Sequence, residues 1–258
     1  MEYISLGATS QEIPKIGFGT WRFRGGAGVL KRAVELGAGF VDTAEVYGTE
    51  AIVGGEIAPF RDEMLVATKV SPENLRYDDV IEHAEASLRS LKISVIDLYQ
   101  VHWPNPEIAI AETMRAMETL VADGKVRFIG VSNFSTNQMK EAQDSLKSSP
   151  LVANQVQYSL VSRDIEDDVL PYCQENHITV IAYSPMAKGA FDSPNDTLRK
   201  VAADIGATPA QVMLSWVISH EGVTAIPKTD SVERVDEAVG SVDIRLTSDA
   251  RETLERMI

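Results

Sequence analysis

Four side chains that can transfer or tune a proton follow apolar segments in the first part of the chain. Asp42, Lys69 and His102 each close a short run of strand type, and Tyr47 lies in the loop just beyond the first run. In a parallel barrel, the carboxyl ends of the strands carry the chemistry. A phenol beside a lysine, with a carboxylate to hold the lysine and an imidazole close by, makes a proton donor that can act near neutral pH. These residues predict an enzyme.

Strand and helix patterns alternate along the chain, and these elements must position the four residues. The predicted strands are 16–20, 40–44, 64–70, 95–103, 128–133, 153–158, 179–185 and 223–228. Amphipathic stretches between them, such as 78–91, 107–123 and 135–146, predict helices. Eight strands with eight crossovers indicate an α/β fold, a closed (β/α)8 TIM barrel.

Two further elements are predicted at the ends of the sequence. Residues 3–14 predict a short β-hairpin ahead of the first barrel strand. Residues 247–257 predict an extra terminal helix, capped by Thr247 or Ser248.

Polar and charged residues stand at the same end of every predicted strand. Core packing does not explain them, because burying an unpaired charge costs several kcal/mol. We therefore expect them to line one mouth of the barrel. They are Thr20, Trp21, Asp42, Lys69, His102, Ser132, Asn133, Gln155, Gln157, Tyr183, Ser184 and Lys228.

Composition restricts the partners and the compartment. The 258 residues, 44% of them hydrophobic, can form one domain over 1–258. A net charge of −14 would repel nucleic acid and anionic membranes. Cys173 is the only cysteine, so an intrachain disulfide is excluded and a reducing compartment is expected. Without a signal-peptide pattern, the prediction is a cytoplasmic monomer that acts on a small molecule.

The ordered set of motifs resembles the aldo-keto reductase family, over nearly the whole chain. The tetrad of that family matches Asp42, Tyr47, Lys69 and His102. The matching segments are Gly17-Phe18-Gly19-Thr20-Trp21, Asp42-Thr43-Ala44 with Tyr47-Gly48 and Glu50, Thr68-Lys69, Asp97 to Pro104, Gly130 to Phe134, Asn154-Gln155-Val156, Ala182 to Pro185, and Ile226 to Thr229 followed by Arg234.

The resemblance implies reduction of a carbonyl by hydride transfer from a nicotinamide cofactor, with Tyr47 as the proton donor. Lys69, held by Asp42, would ease deprotonation of Tyr47, and His102 would hydrogen-bond the substrate oxygen. Trp21 and Trp103 would form the substrate wall together with Tyr47 and His102.

The resemblance also implies that the cofactor lies extended across the barrel mouth, since the chain has no Rossmann fingerprint. Tyr183 would stack on the nicotinamide, and Lys228 and Arg234 would grip the 2′-phosphate, which favours NADPH over NADH. Asp230 and Ala238 depart from the family pattern and predict a weaker preference. The cofactor set predicted by resemblance is Gly19, Thr20, Trp21, Ser132, Asn133, Gln155, Tyr183, Ser184, Lys228, Thr229, Arg234 and Glu237.

Other interpretations remain open. Taken singly, Tyr47 could be a packed aromatic residue and Lys69 a solvated charge. Lys69 could instead form a Schiff base, as in an aldolase, or the protein could bind a nicotinamide cofactor as a redox sensor without catalysis. His83, His177 and His220 lack metal-ligand spacing and are predicted to be surface residues, so no metal site is predicted. Cys173 is predicted to be a buried hydrophobe.

Short connections predict the kind of substrate. Only Pro104, Asn105 and Pro106 separate Trp103 from the next helix, the segment after Pro185 is brief, and the chain stops directly after its terminal helix. Family members that select large substrates use long loops at these three places. The expectation is a shallow, open pocket for small aldehydes, dicarbonyls or keto-sugars.

Overall fold

The computed structural model describes residues 1–26, 28–187 and 196–257. Two short strands, β1 (Tyr3–Ser5) and β2 (Glu12–Pro14), form an antiparallel hairpin. Eight parallel strands follow, and each pairs with the next along the chain. They are β3 (Phe18–Gly19), β4 (Phe40–Asp42), β5 (Leu65–Val70), β6 (Ile96–Val101), β7 (Val126–Ser132), β8 (Leu151–Gln157), β9 (Thr179–Tyr183) and β10 (Val223–Ala225).

A parallel bridge between Ile16 and Ala225 joins the first and last barrel strands and closes the ring. Gly17 N donates to Ala225 O over 2.9 Å, and Gly19 N donates to Pro227 O over 3.1 Å. These bonds confirm the predicted (β/α)8 barrel with its hairpin. The predicted strands 16–20 and 223–228 are shorter in the structure, since Pro227 has no N–H to continue the ladder.

Helices connect the strands and surround the barrel. The C-terminal helix begins after Thr247, whose hydroxyl accepts a hydrogen bond from Ala250 N, as the sequence predicts. The helices are α1 (Val29–Glu35), α2 (Glu50–Ile57), α3 (Tyr77–Leu91), α4 (Ile110–Ala122), α5 (Thr136–Ser145), α6 (Val169–Glu175), α7 (Asp196–Ile205), α8 (Pro209–Ile218), α9 (Val232–Gly240) and α10 (Ser248–Glu255).

Within the described ranges, no single helix is long and apolar enough to cross a membrane, and only α7 with α8, bent by 84°, passes that test as a pair.

The hairpin fills the amino-terminal end of the barrel. Leu6 and Ile13 are fully buried there, among the apolar side chains that point inward from the strands. The Thr179 hydroxyl accepts a hydrogen bond from Gly7 N and donates one to Ser5 O, over 2.8 and 3.0 Å. The hairpin therefore covers this end of the barrel, and the chemistry is left to the carboxyl ends of the strands.

Strand register brings the polar strand ends to one level. Gly19 pairs with Asp42, Lys69 pairs with Gln100, and Ser132 pairs with Gln155. Because neighbouring parallel strands are staggered by a constant amount in a barrel, these side chains surround a common mouth.

Candidate active site

A buried ion pair lies at the floor of the mouth. Lys69 Nζ donates to Asp42 Oδ2 over 2.6 Å and to Thr43 O over 2.8 Å. Lys69 is 0% exposed and Asp42 is 2% exposed. Burial lowers the pKa of Lys69, and the neighbouring Asp42 charge opposes that shift. The ammonium is thus held beneath the cleft rather than at its surface.

Two glutamine amides hold the other oxygen of Asp42. Gln155 Nε2 lies 2.8 Å from Asp42 Oδ1, and Gln100 Nε2 lies 3.2 Å from the same atom. Space for Gln100 depends on Gly130, because a Cβ there would lie 3.0 Å from Gln100 Cγ. Sequence reasoning gave Gln100 no role. The alternation that places Gln100 on the same barrel face as Leu98 is the signal that could have found it.

Tyr47 lies above the ion pair, at the end of a 3-10 turn spanning Glu45–Tyr47. The Lys69 Nζ atom is 5.1 Å from the centre of its ring. The Tyr47 hydroxyl lies 3.4 Å from His102 Nε2, and the rings of Tyr47 and His102 meet edge to face at an interplanar angle of 77°. The structure therefore brings together all four residues of the predicted tetrad.

The pKa of Tyr47 does not follow the sequence prediction. Burial raises the pKa of this phenol above its ordinary value, and the negative charge of Asp42 raises it further. The expected net lowering is wrong for this arrangement, because burial and the charge of Asp42, which pairs directly with the Lys69 ammonium, outweigh the attraction of that ammonium for a phenolate. Tyr47 is consequently a protonated phenol at neutral pH.

His102 is a neutral imidazole at neutral pH. Burial, followed by the positive charge of Lys69, lowers its pKa to about 4. A neutral ring keeps one N–H, so it can donate one hydrogen bond without bringing a positive charge into the cleft.

A second polar group lies across the mouth from Tyr47. Tyr183 Oη donates to Asn133 Oδ1 over 3.0 Å, and Asn133 Nδ2 donates to His102 O over 3.1 Å and to Ser132 Oγ over 2.9 Å. Asn133 and Ser184 have left-handed φ values of 61° and 51°. Asparagine tolerates this conformation, and the turn directs its amide into the cleft. The orientation of the Tyr183 ring is therefore fixed by hydrogen bonding.

The main cleft has a volume of about 840 Å³ and lies directly over these groups. Trp21, Val46 and Trp103 stand at its rim with exposed fractions of 52%, 61% and 48%. The cleft is lined by Gly19, Thr20, Trp21, Asp42, Val46, Tyr47, His102, Trp103, Ser132, Asn133, Gln155, Tyr183, Ser184, Pro185, Met186, Ile226, Pro227 and Lys228.

A smaller cavity of about 350 Å³ continues from the main cleft, sharing Met186, Pro227 and Lys228 with it. Ser231, between the lining residues Thr229 and Arg234, caps α9 with its side chain. Its other lining residues are Phe18, Ala210, Met213, Leu214, Thr229, Arg234, Glu237 and Ala238.

Charge in this smaller cavity is partly neutralised. Lys228 Nζ pairs with an oxygen of Asp230, whose other oxygen accepts a hydrogen bond from Arg24 N over 3.1 Å. Arg234 is exposed at the start of α9. Glu237 Oε1 accepts a hydrogen bond from the Thr208 hydroxyl over 2.6 Å. The predicted opposition of Asp230 to Lys228 is therefore a direct ion pair.

Each residue predicted for catalysis, substrate or cofactor lines one of the two cavities, except Lys69 beneath Tyr47. Gln157, also expected at the mouth, lines neither cavity. Cys173 is buried, as expected. The surface assignment is correct for His177, which is exposed, and for His83, whose side chain is 36% exposed although it pairs with Glu45. It is wrong for His220, which packs against the rings of Tyr158 and Trp216. No local sequence signal reveals such partners.

Comparisons with known proteins agree with this geometry. The model of the aldo/keto reductase family matches residues 15–258. The methylglyoxal reductase YeaE of Escherichia coli (strain K12) is 38% identical over 250 residues, covering 92% of this chain and 88% of that protein. The thermostable aldo-keto reductase Tm1743, solved with the inhibitor epalrestat, superposes with a TM-score of 0.94 at 37% identity, with both chains covered fully. An aldo/keto reductase from Klebsiella pneumoniae, solved with NADP and acetate, has a TM-score of 0.89 at 37% identity, covering 95% of this chain and 92% of that one.

Proposed function

The chain belongs to the aldo/keto reductase family, and we propose that it uses NADPH to reduce small aldehydes and ketones to alcohols, with Tyr47 as the proton donor. The observation that carries this proposal is the Tyr47 hydroxyl, which lies 3.4 Å from His102 Nε2 above the Lys69–Asp42 pair. The NADP-bound Klebsiella pneumoniae reductase supports the choice of cofactor.

Bound NADPH supplies a hydride to the carbonyl carbon. Negative charge then develops on the substrate oxygen, and Tyr47 donates its proton to that oxygen. The raised pKa of Tyr47 keeps the phenol protonated until the oxygen becomes more basic than the phenolate. Lys69 stabilises the phenolate that remains, since its ammonium lies 5.1 Å from the ring centre. A proton from solvent restores Tyr47.

His102 positions the carbonyl. With its pKa lowered to about 4, the neutral ring can donate a hydrogen bond to the substrate oxygen while Tyr47 approaches the same atom. An imidazolium would instead compete with Tyr47 as the acid.

The donors along the two cavities fit an extended dinucleotide. Tyr183 offers a ring held by Asn133, against which a nicotinamide could stack. The Gln155 amide nitrogen is bound to Asp42, so its carbonyl oxygen would serve the carboxamide of the cofactor. Lys228, Arg234 and the N-terminus of α9 supply positive potential for a 2′-phosphate. The wider cofactor set is Gly19, Thr20, Trp21, Ser132, Ser184, Thr229 and Glu237.

Asp230 reduces the advantage of NADPH over NADH in this proposal. Lys228 must interact with both Asp230 and the phosphate, so part of its attraction for the phosphate is offset. We propose that NADPH is preferred and that NADH is used less well.

The substrate is proposed to be small and to carry an apolar group beside its carbonyl. Trp21, Val46 and Trp103 leave apolar surface exposed at the cleft rim, and such surface is usually covered by a ligand. Dicarbonyls fit this description, and the likeness to a methylglyoxal reductase supports them. Keto-sugars fit this description less well, because several of their hydroxyl groups would lie against these apolar side chains.

Two other functions have less support. A Schiff-base aldolase needs an accessible, neutral lysine, whereas Lys69 is 0% exposed and hydrogen-bonded to Asp42. A redox sensor without catalysis needs no proton donor, whereas the Tyr47 hydroxyl points to His102. Borohydride trapping with a carbonyl compound tests the first alternative, and measured turnover tests the second.

We also propose that residues 1–258 form one domain and that the protein is a cytoplasmic monomer. Cys173, a single buried thiol, suits a reducing compartment. Sedimentation at several concentrations tests the monomer.

The deciding experiment is a panel of carbonyl compounds followed by nicotinamide absorbance with NADPH and with NADH. We expect turnover of small aldehydes and dicarbonyls, with NADPH giving the higher kcat/KM. Absence of turnover with every carbonyl and either cofactor would contradict the proposal.

A further inference from the structure

A carboxylate that the proposed mechanism does not use stands two residues before Tyr47. Glu45 begins the 3-10 turn that ends at Tyr47, and its side chain is only 14% exposed. Its Oε1 atom accepts hydrogen bonds from Ser71 N over 2.7 Å and from Asn74 Nδ2 over 3.0 Å. Its Oε2 atom accepts from His83 Nδ1 over 2.7 Å. Three donors on one carboxylate fix its position.

The donors to Glu45 come from elements that carry other parts of the site. Ser71 follows Lys69 by two residues, Asn74 lies in the 3-10 turn Pro72–Asn74, and His83 lies on α3. The Asn105 amide, in the loop after His102, donates to Pro72 O over 2.9 Å. The loop that carries Tyr47, the segment that follows Lys69 and the loop after His102 are therefore joined at this cluster.

Apart from the contacts of the Tyr47 side chain with His102 and Lys69, the other contacts that hold this loop to the barrel lie near its ends. Lys69 binds Thr43 O at the start, and the Thr49 hydroxyl lies 3.0 Å from the Thr43 hydroxyl at the end. Val46, next to Tyr47, is 61% exposed and contributes little packing. Gly48 follows in the left-handed region with φ of 68°, and a glycine restrains the backbone there less than a residue with a side chain would.

We propose that Glu45 is a positioning residue for Tyr47, which it holds within reach of His102 and above Lys69 through the contacts with Ser71, Asn74 and His83. The inference rests on the proposed role of Tyr47 as the proton donor. Burial opposes ionisation of Glu45, yet its hydrogen bonds, that of Ser71 first, hold the pKa below its ordinary value. The carboxylate is therefore charged and fully hydrogen-bonded at neutral pH.

The first test compares three variants by kcat and by NADPH affinity. Glu45→Ala should lower kcat by about 10- to 100-fold while the Kd for NADPH changes by less than about two-fold, because the donor is displaced and the cofactor cavities are not. Glu45→Gln should restore most of kcat, since an amide of the same shape can accept from Ser71 N and still hydrogen-bond the His83 ring. Glu73→Gln is the matched control, because Glu73 is an exposed carboxylate in the adjacent loop. A kcat for Glu45→Ala within about two-fold of the unchanged protein would overturn the proposal.

A double-mutant cycle separates positioning of Tyr47 from a general structural effect. In a Tyr47→Phe background, Glu45→Ala should change the residual turnover by less than about two-fold. Equal losses in both backgrounds would mean that Glu45 acts independently of Tyr47, which overturns the inference. Unchanged turnover of Tyr47→Phe alone would instead remove Tyr47 as the donor, so the two failures are distinguishable.

Limited chymotrypsin digestion gives a measurement that does not depend on turnover. Cleavage after Tyr47, identified from the mass of the fragment 1–47, should be faster in Glu45→Ala than in Glu73→Gln. Equal cleavage rates contradict the proposal. If Glu45→Ala does not fold, Asn74→Ala, which removes one donor to Glu45, replaces it in the double-mutant cycle. We expect Asn74→Ala to lower kcat by a smaller factor, and this loss must also disappear in the Tyr47→Phe background.

Discussion

At the scale of single residues, the charged pair of the site is distinct from the group that donates the proton. The charged pair, Lys69 and Asp42, is buried under the cleft, whereas the groups that face the cleft, Tyr47 and His102, are both neutral at neutral pH. Tyr47 and His102, both neutral, can meet the negative charge that develops on a substrate oxygen through hydrogen bonds until the proton moves. The arrangement makes the phenol the acid and leaves the lysine to stabilise its anion.

Removing the Tyr47 hydroxyl tests that assignment. Tyr47→Phe should lower kcat by about 100-fold or more, because only the proton donor is lost, and the Kd for NADPH should stay nearly unchanged. Pre-steady-state absorbance and fluorescence titration measure the two quantities. A variant with ordinary turnover would exclude Tyr47 from proton transfer.

The pKa of His102 predicts how stability depends on pH. The unfolded chain binds a proton on His102 near pH 6.5, whereas the folded chain binds it only near pH 4. Between these values the unfolded state holds more protons, so the free energy of unfolding falls as pH falls. His102→Asn should remove about 1–2 kcal/mol of this acid destabilisation, a figure reduced for the exposed part of the ring.

Urea unfolding of both proteins at a series of pH values measures the difference. Burial also lowers the pKa of His220, so the unchanged protein and the variant share that contribution and their difference isolates His102. Parallel curves would show that His102 is not held neutral by the fold.

The tetrad was predictable from sequence, whereas the surroundings that tune it were not. Asp42, Lys69 and His102 close strands, so strand periodicity places them at one mouth. The clamp on Glu45 depends on His83, which is 38 residues away, and a carboxylate in a loop looks the same in sequence whether it is clamped or solvated. The pKa of Tyr47 was mispredicted because it depends on burial, which spacing alone does not report.

At the scale of elements, the connection between β10 and α9 determines how the cofactor phosphate is met. Lys228, Asp230 and the cap Ser231 lie within four residues, and Asp230 also binds the β3–α1 connection through Arg24 N. One carboxylate thus orders the loop and weakens its positive charge. The sequence indicated the charge opposition but not the contact with Arg24, which is distant in sequence.

Cofactor preference should shift in opposite directions with two substitutions in this segment. Arg234→Gln should weaken NADPH by about 1–3 kcal/mol, roughly a five- to 150-fold rise in Kd, with NADH barely changed. Asp230→Asn should tighten NADPH, because the amide can still accept from Arg24 N while the charge on Lys228 is freed.

Fluorescence titration with both cofactors measures these shifts. Arg89→Gln, on the outward side of α3, is the control for a lost surface charge. Equal losses for NADH and NADPH in Arg234→Gln would mean that the 2′-phosphate does not bind there.

At the scale of the whole molecule, the two ends of the barrel serve different purposes. The hairpin β1–β2 buries Leu6 and Ile13 at one end, and the strand ends hold the site at the other. Periodicity and turn residues made both ends predictable. Strand limits at β3 and β10 were less predictable, because pairing there depends on closing the ring.

Stability should therefore change at the hairpin end without a change in catalysis. Ile13→Ala should lower the free energy of unfolding by about 2–5 kcal/mol, since it removes a fully buried side chain from the barrel interior. The value of kcat should remain unchanged at temperatures where the protein is folded. Glu12→Ala, on the exposed side of the same strand, is the control. A fall in kcat without loss of stability would contradict this division.

The closure of the barrel between β3 and β10 has a consequence for amide hydrogen exchange. Those strands have two and three residues, whereas β5 and β6 have six each. Short ladders open more often, so the amides of Gly17, Gly19 and Ala225 should exchange faster than those of β5 and β6. Both cavities border the junction between β3 and β10, through Phe18, Gly19 and Pro227. A dinucleotide bound across this junction would slow exchange most at these three amides, so cofactor binding would stabilise the barrel where its pairing is shortest.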